Sequence, residues 1–437
     1  MGVKHKIGLR FEDKYKMERR VALVPDHVKA LRDLGLEFEV RKSAKRIFAD
    51  REYEAVGARL VDQVPEADII LGVKEMPIDY FKENRTYLFF SHTIKGQEYN
   101  MPMLRSMMEH HSNLIDYERI TDEKGKRLIF FGHFAGLAGM INSLWSAGQR
   151  WKEFGVVTPF LKLKQTHHYQ SLDEAKAVIS EIAREIAQNG LPVEIEPVVV
   201  GITGYGNVSH GVQEILDILP VKNISPAELL QYSTNGFPDK NLIYKVVFKE
   251  EDLSVPIEKG KSFVLQEYYD QPELFESQFE KYLPHLTILM NCIYWDDRYP
   301  VIVSKDFLEV MFKNQKPKLL VIGDVTCDPD GSIECTHKGT VIEDPVFVYN
   351  PHTRKPTMGF KGDGVLVMAV DILPSELPRE ASQTFSDALV GFIPDLASAD
   401  FDVPFENLKI PAPLKRAMIL FHGELTPDYQ YLNEFLK

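Results

Sequence analysis

Short apolar runs alternate along this chain with longer stretches whose apolar positions recur every three or four residues. That alternation predicts parallel β-sheets with helices on their faces. ADIILGV (67–73), TYLFFS (86–91) and SNLIDYE (112–118) read as strands, with IDYFKENR (78–85) as a short helix or turn. A charged turn, TDEKGK (121–126), leads into RLIFFG (127–132). AGLAGMINSLWSAGQRWKEFG (135–155) reads as a long helix whose small residues permit close packing, and SLDEAKAVISEIAREIAQNG as a polar helix closed by Gly190. A second unit starts at the strand EPVVVGIT (196–203), followed by the helix NVSHGVQEILDIL (207–219) and the short strand VKNIS (221–225). Later strands are LTILMNC (286–292), KLLVIGDV (318–325) and GVLVMAVDIL (364–373), before a helical tail, PREASQTFSDALVGFIPDL (378–396).

Composition narrows the class of function. At about 150 residues per domain, two or three domains fit in 437 residues. The hydrophobic share of 44% and charged share of 26% are those of a globular protein. With 51 basic and 64 acidic residues the net charge is −13, so the basic footprint of a nucleic-acid partner is missing. No apolar run reaches the roughly 18 residues of a membrane span. The charged N-terminus, MGVKHKIGLRFEDKYKMERR, has no secretory apolar region. Only Cys292, Cys327 and Cys335 occur, which argues for a reducing compartment, read here as the cytoplasm. The Cys327, Cys335 and His337 spacing matches no CxxC pattern, so no metal is expected.

Ligands of open parallel sheets bind beyond the carboxyl ends of the strands. There the chain places Lys74 and Glu75, His92, Glu118 with Arg119, Asn291, and Asp324 with Asp328. A single charged residue after an apolar strand is an ordinary solvated end; the gathering of several is what points to a site. The loop GITGYGNVSHG lies between a strand and a helix, as a dinucleotide fingerprint requires. Gly204 allows the tight turn and Gly206 lets the backbone approach a pyrophosphate. The phosphates then sit on the N–H groups that open the next helix, which makes Gly204, Tyr205, Gly206, Asn207 and Val208 the candidate cradle. Ser209 stands where a third glycine is usual. Enzymes for NAD place an acid about 20 residues further on. The stretch Val221-Lys222-Asn223-Ile224-Ser225 has none, and its lysine and Ser225 suit a 2′-phosphate, which favours NADP(H) and leaves NAD(H) open.

Several segments together resemble the lysine-forming saccharopine dehydrogenases, and most of all the lysine–2-oxoglutarate reductase half of the bifunctional enzyme of lysine breakdown. They are MERRVALVPDHV (17–28), GVKEMP (72–77), FFSHTIKGQE (89–98), LIDYERI (114–120), FAGLAGMIN (134–142), TGYGNVSHGVQEI (203–215), MNCIYW (290–295), GDVTCDPDGSIE (323–334) and LPSELPREAS (373–382). They run in family order over nearly the whole chain. The wider family includes alanine dehydrogenase and the transhydrogenases. The resemblance implies an α/β fold of two Rossmann-like domains with parallel sheets, the second inserted into the first, and an active site in the interdomain cleft. On that reading residues 1–140 and 345–437 form the catalytic domain and 141–344 the dinucleotide-binding domain. A stand-alone reductase is implied, since the saccharopine-oxidising half has no counterpart.

The implied reaction condenses lysine with 2-oxoglutarate and reduces the imine to saccharopine with NADPH. The alternatives are the NAD-dependent, lysine-forming saccharopine dehydrogenase and another opine- or alanine-type dehydrogenase. By resemblance, Lys74 and His92 match the catalytic lysine and histidine. Such a reaction needs a base for the amine and an acid for the departing water. Arg20 matches a substrate-binding arginine able to grip a carboxylate with two parallel hydrogen bonds, with Arg19 beside it as a surface charge. Gln97 matches a substrate-contacting glutamine, and Lys95 and Arg298 are further cationic candidates. Glu75 and Glu118 correspond to acids expected to tune the acid–base pair. Lys126 stands where fungal enzymes carry an arginine. Asp328 matches an aspartate near the nicotinamide, Asp324 opens the same segment, and Asn291 and Ile293 are expected on the nicotinamide side. The expected partners are these small molecules, without nucleic acid or membrane, and the reading leaves room for a homo-oligomer.

Overall fold

A computed structural model describes residues 4–63, 66–314 and 317–436. The chain divides into two compact units, Met1–Phe131 with Pro378–Lys437, and Gly132–Leu377. The insertion expected from the sequence is present, but its boundaries differ. Residues 132–140 open the long helix Gly132–Glu153 of unit 2, and residues 345–377 add three strands to its sheet.

Unit 1 begins with β1 (Ile7–Leu9), β2 (Phe38–Arg41), β3 (Arg59–Val61), β4 (Ile69–Leu71), β5 (Thr86–Phe89) and β6 (Asn113–Asp116). Unit 2 supplies β7 (Val198–Thr203), β8 (Val221–Asn223), β9 (Ile243–Phe248), the pair β10 (Ser254–Pro256) and β11 (Phe275–Ser277), then β12 (Ile288–Asn291), β13 (Val321–Asp324), β14 (Val346–Asn350), β15 (Lys355–Met358) and β16 (Val365–Met368). The chain returns to unit 1 for β17 (Met418–Phe421) and β18 (Glu424–Leu425). The run RLIFFG makes only an isolated bridge, Arg127 to Thr121; its Phe131 instead stacks on Phe385 at 4.6 Å within unit 1.

The first sheet has the order β18-β17-β6-β5-β4-β1-β2-β3, parallel from β6 to β3. Ile7, Ile69, Leu88 and Ile115 are wholly buried, as strands covered on both faces require. The chain leaves β1 toward β2 and β3, then returns on the other side to β4. The crevice beyond β1 and β4 is therefore a topological switch point. The tail is tied to this unit by β17, antiparallel to β6, and by the helix Pro378–Leu389. The Ser382 and Ser386 hydroxyls on that helix accept the Val21 and Val24 amides at 3.0 Å each.

The second sheet has the order β15-β14-β16-β13-β12-β7-β9-β8, in which only β14 is reversed, antiparallel to both β15 and β16. Its switch point lies between β7 and β12. The strand beside β7 is β9, paired from Val198↔Ile243 to Thr203↔Phe248, whereas β8 lies outside it at the sheet edge. This corrects the reading of VKNIS as the strand end next to the glycine loop. Ser225 instead caps the helix Pro226–Asn235, its hydroxyl accepting the Glu228 amide at 3.2 Å. The long helix packs tightly on the glycine-loop helix Asn207–Leu216. A Cβ at Gly136 would strike the Val208 carbonyl, and one at Gly211 the His133 carbonyl. Gly211, rather than residue 209, thus gives the close helix packing expected of a third glycine. Among the described residues no helix is long and apolar enough to cross a membrane.

Candidate active site

At the first switch point the ends of β1 and β4 are locked together by buried charge. Arg10 Nη1 donates to the Lys74 and Glu75 carbonyls at 3.4 and 3.3 Å, and its Nη2 pairs with Asp13. Glu12 answers with both oxygens, accepting the Val73 amide at 2.8 Å and the Lys74 amide at 3.0 Å. Two buried side chains just beyond β1 therefore clamp the peptides of residues 73–75 from both polarities. Burial is the main influence on the Glu12 carboxyl and raises it, against the Arg10 charge and the two amides.

That clamp carries Lys74 and Glu75. Lys74 is half-buried, its Nζ 5.7 Å from the centre of the Tyr15 ring. Glu75 Oε1 accepts from Lys14 Nζ at 2.5 Å and meets His92 Nδ1 at 2.7 Å. Burial pushes the Glu75 carboxyl up, but the hydrogen bonds and charges of His92 and Lys14 outweigh it and bring it down to about 2. An ionised carboxylate can only accept, so His92 Nδ1 carries a proton and donates it to Glu75. Glu75 Oε2 is buried with no hydrogen-bond partner. His92 has a left-handed backbone, φ 49°, and its carbonyl accepts from Asn100 Nδ2 at 3.1 Å. Glu75 and His92 are thus joined directly, while Lys74 precedes Glu75 in the chain and its Nζ lies over the Tyr15 ring.

Asp116, at the end of β6, lies behind this group and is fully buried. It accepts the Ser91 amide at 3.0 Å, the Ser91 hydroxyl and the Glu118 amide at 2.7 Å. Burial foremost, with the Glu118 charge, pushes its carboxyl up to about 6, against the Ser91 and Glu118 hydrogen bonds and the His92 charge. Glu118 pairs with Arg127, not with its neighbour Lys126, which is exposed in the Asp122 turn.

Arg20 departs from expectation. Its two-pronged grip exists, but Nε and Nη2 hold the Glu18 carboxylate at 2.8 and 2.6 Å, with the guanidinium 4.2 Å above the Phe131 ring. Both partners are buried. Arg19 Nε donates to the Lys45 carbonyl at 3.2 Å. Gln97 is half-buried, its Oε1 accepting the Lys95 amide at 3.1 Å. Arg298 belongs to unit 2, is exposed, and is held by Asp296 at 2.8 and 3.0 Å.

The second switch point is built from backbone. Gly204 has φ 80°, and a Cβ there would come within 3.3 Å of Ile293 and 3.4 Å of the Cys292 carbonyl. Around Gly206 a Cβ would meet nothing, so the space ahead of the helix Asn207–Leu216 is open. Tyr205, Gly206 and Asn207 are exposed and Val208 half-buried. This is the cradle a pyrophosphate needs, with the first-turn amides of a ten-residue helix facing it. Asn291 turns inward rather than to the open side. It accepts from the Thr203 hydroxyl at 2.8 Å and donates to Asp324 and Ser332 at 2.9 Å each. Asp324 is also wholly buried and takes the Thr326 and Thr336 hydroxyls, which leaves Asp328 and Asp330 as the exposed acids of its segment. Ile293 lies half-buried against Gly204. Among the described residues no group of three or more His, Cys, Asp or Glu could hold a metal ion.

Sequence reasoning missed Arg10, Glu12, Lys14 and Asp116. The first three lie in a stretch read only as charged, and Asp116 was counted inside the apolar run SNLIDYE. The signal for Arg10 and Glu12 was the short apolar run IGL just before them.

Residues 8–138 match the family model described as alanine dehydrogenase/PNT, N-terminal domain. The chain is 40% identical over 447 residues to the alpha-aminoadipic semialdehyde synthase of Arabidopsis thaliana, covering 99% of this chain and 41% of that protein. It is 29% identical over 412 residues to the saccharopine dehydrogenase (NAD(+), L-lysine-forming) of Yarrowia lipolytica, covering 90% and 93%. An L-alanine dehydrogenase structure shares the fold, with a TM-score of 0.62 at 18% identity over 99% of this chain and 100% of the other. The chain spans less than half the length of the synthases that it matches. Residues 8–138 are therefore similar to the alanine dehydrogenase/PNT N-terminal domain, and 99% of the chain is similar to a part of the alpha-aminoadipic semialdehyde synthases.

Proposed function

We propose that this protein is a lysine–2-oxoglutarate reductase, condensing the ε-amine of L-lysine with the ketone of 2-oxoglutarate and reducing the imine to saccharopine, the opening step of lysine breakdown. The observation that carries this reading is the Glu75–His92 pair at a strand-end switch point, with Lys74 next to Glu75 in the chain, in a homologue of the synthases. A bound reduced pyridine nucleotide supplies the hydride. Lys74 takes a proton from the substrate ammonium so that the amine can attack the ketone. His92, held through Nδ1 by Glu75, presents Nε2 to pass a proton to the hydroxyl that leaves as water. Glu75 is the positioning residue for that imidazole. Gln97 and the Nη1 of Arg20, which takes no part in the Glu18 pair, are our candidates for the substrate carboxylates.

The finer choice of nucleotide is NADP(H) in this reading. Topology moves the argument from Lys222 to Lys249. The Gly204 amide donates to the Phe248 carbonyl at 2.9 Å, so the end of β9 abuts the glycine loop, and the exposed Lys249 follows. The next acid, Glu250, accepts from the Tyr269 hydroxyl at 2.7 Å. A lysine at that strand end offers a cation to a 2′-phosphate. The three free thiols fit a reducing compartment, which we take to be the cytoplasm.

The test follows NADPH absorbance with lysine and 2-oxoglutarate. Oxidation should require both and yield saccharopine by mass spectrometry. Oxidation sustained by alanine or ammonia instead would replace the reading with an alanine-type dehydrogenase. Faster initial rates with NADH would favour the NAD-linked alternative.

A further inference from the structure

We infer that Asp116 is a positioning residue for His92, holding the imidazole's backbone from behind and coupling it to Glu118. This rests on the reading of His92 as the proton donor and extends it to a residue that does not itself touch substrate.

Three observations carry the inference. Asp116 is fully buried, yet among the described residues no lysine or arginine is hydrogen-bonded to it. A buried carboxylate without a cation is costly and persists where it has a task. Its hydrogen bonds all run to the residues flanking the proposed site. One oxygen takes both the amide and the hydroxyl of Ser91, the residue just before His92, and the other takes the Glu118 amide. Finally, His92 has a left-handed backbone, φ 49°, which a residue with a Cβ rarely adopts. Something must hold it there. Behind it the Ser91 hydroxyl, 2.8 Å from Thr93 Oγ1, is fixed by Asp116, and ahead of it Asn100 takes the His92 carbonyl. Asp116 and Asn100 therefore pin the strained residue from both sides, so that Nδ1 meets Glu75.

The test uses Asp116→Asn and the milder Ser91→Ala in the full chain. Asparagine has one acceptor oxygen where the carboxylate has two, so its amide NH2 opposes either the Ser91 donors or the Glu118 N–H. Alanine keeps the carboxylate and the backbone bond and removes only the hydroxyl. We expect kcat to fall by about tenfold or more in Asp116→Asn, within the range of a misplaced general acid, and by a smaller factor in Ser91→Ala. KM for lysine and 2-oxoglutarate should stay within about twofold in both, since a misplaced acid affects the transition state and not ground-state binding. A purely structural role would move KM and thermal stability together with kcat. Amide hydrogen exchange at Ser91, measured without substrate, should accelerate in Asp116→Asn while exchange in β4 and β5 stays unchanged. Unchanged kcat in both variants, or unchanged Ser91 exchange in Asp116→Asn, overturns the inference. Should Asp116→Asn fail to fold, Ser91→Ala decides alone through its kcat-to-KM split. Wild-type protein that does not turn over lysine refutes the functional reading and leaves the exchange measurement to decide the positioning role.

Discussion

The two switch points are built from opposite materials. In unit 1, beyond β1 and β4, charged side chains grip backbone and one another: Arg10 and Glu12 on residues 73–75, Lys14 and His92 on Glu75, Arg20 on Glu18. In unit 2, beyond β7 and β12, the chemistry lies in an open space at Gly206 and in unused helix amides, while Asn291 and Asp324 turn inward to fix the strand ends. One site holds charged groups, proposed here for proton transfer, whose positions depend on each other. The other holds a shape that depends on one missing side chain. Substitutions in the first should therefore spread to their neighbours, and those in the second should stay local.

The largest effect is expected from Lys74→Met and His92→Gln. Each should lower turnover by about 10²–10⁴-fold, the range of general acid–base catalysis, with thermal stability little changed in Lys74→Met and lowered in His92→Gln, which loses the imidazole bond to Glu75. Stopped-flow single turnovers check this, and wild-type rates in either variant would break the contrast.

Next is Glu75. Its folded carboxyl is held near 2, below the ordinary value of 4.5, so the stability it contributes is present above pH 4.5 and is lost as the pH falls toward 2. That contribution is of the order of 3 kcal/mol at neutral pH. Asp116 acts in the opposite sense. Raised to about 6, it weakens the fold as the pH rises from about 4 to 6, where it is charged unfolded but resists charging when folded. Urea unfolding of Glu75→Gln between pH 2 and 7 should be flatter than the wild type at the acid end, and less stable at pH 7.

Gly206→Val should weaken NADPH binding by at least about tenfold while leaving the unfolding curve in place, because its side chain enters space the ligand uses. Gly136→Val and Gly211→Val meet backbone carbonyls and should instead unfold unit 2. Equal unfolding in all three would erase the distinction between an open cradle and a packing glycine. The smallest effect is expected from Lys249→Glu, a severalfold shift in relative affinity from NADPH toward NADH, read by fluorescence titration of both nucleotides.

Much of this was legible in the sequence, for physical reasons that differ by element. β4, β5, β6, β7, β12, β13 and β16 are buried on both faces and read as apolar runs. Gly190 closes its helix as expected. β9 was not legible because Lys245 interrupts IYKVVF; that lysine is buried and paired with Asp217 at 2.5 Å. Missing β9 put the ribose end of the nucleotide beside VKNIS. β1, β2 and β3 have three or four residues each, too few to show a period. Lys74, Glu75 and His92 were found because they follow apolar strands. Arg10, Glu12 and Asp116 escaped because a buried charge and a solvated one look alike until their partners, distant in sequence, are known. Arg20 differs: it was named as a candidate, and what the sequence did not reveal is its pairing with Glu18, two residues away.

The most direct test of the division between the two sites is an NADPH titration of Lys74→Met beside the wild type, with turnover on lysine and 2-oxoglutarate measured in the same preparations. The account predicts equal affinity for NADPH and a collapse of turnover in the variant. Loss of NADPH binding in step with turnover, or turnover that survives, would contradict it.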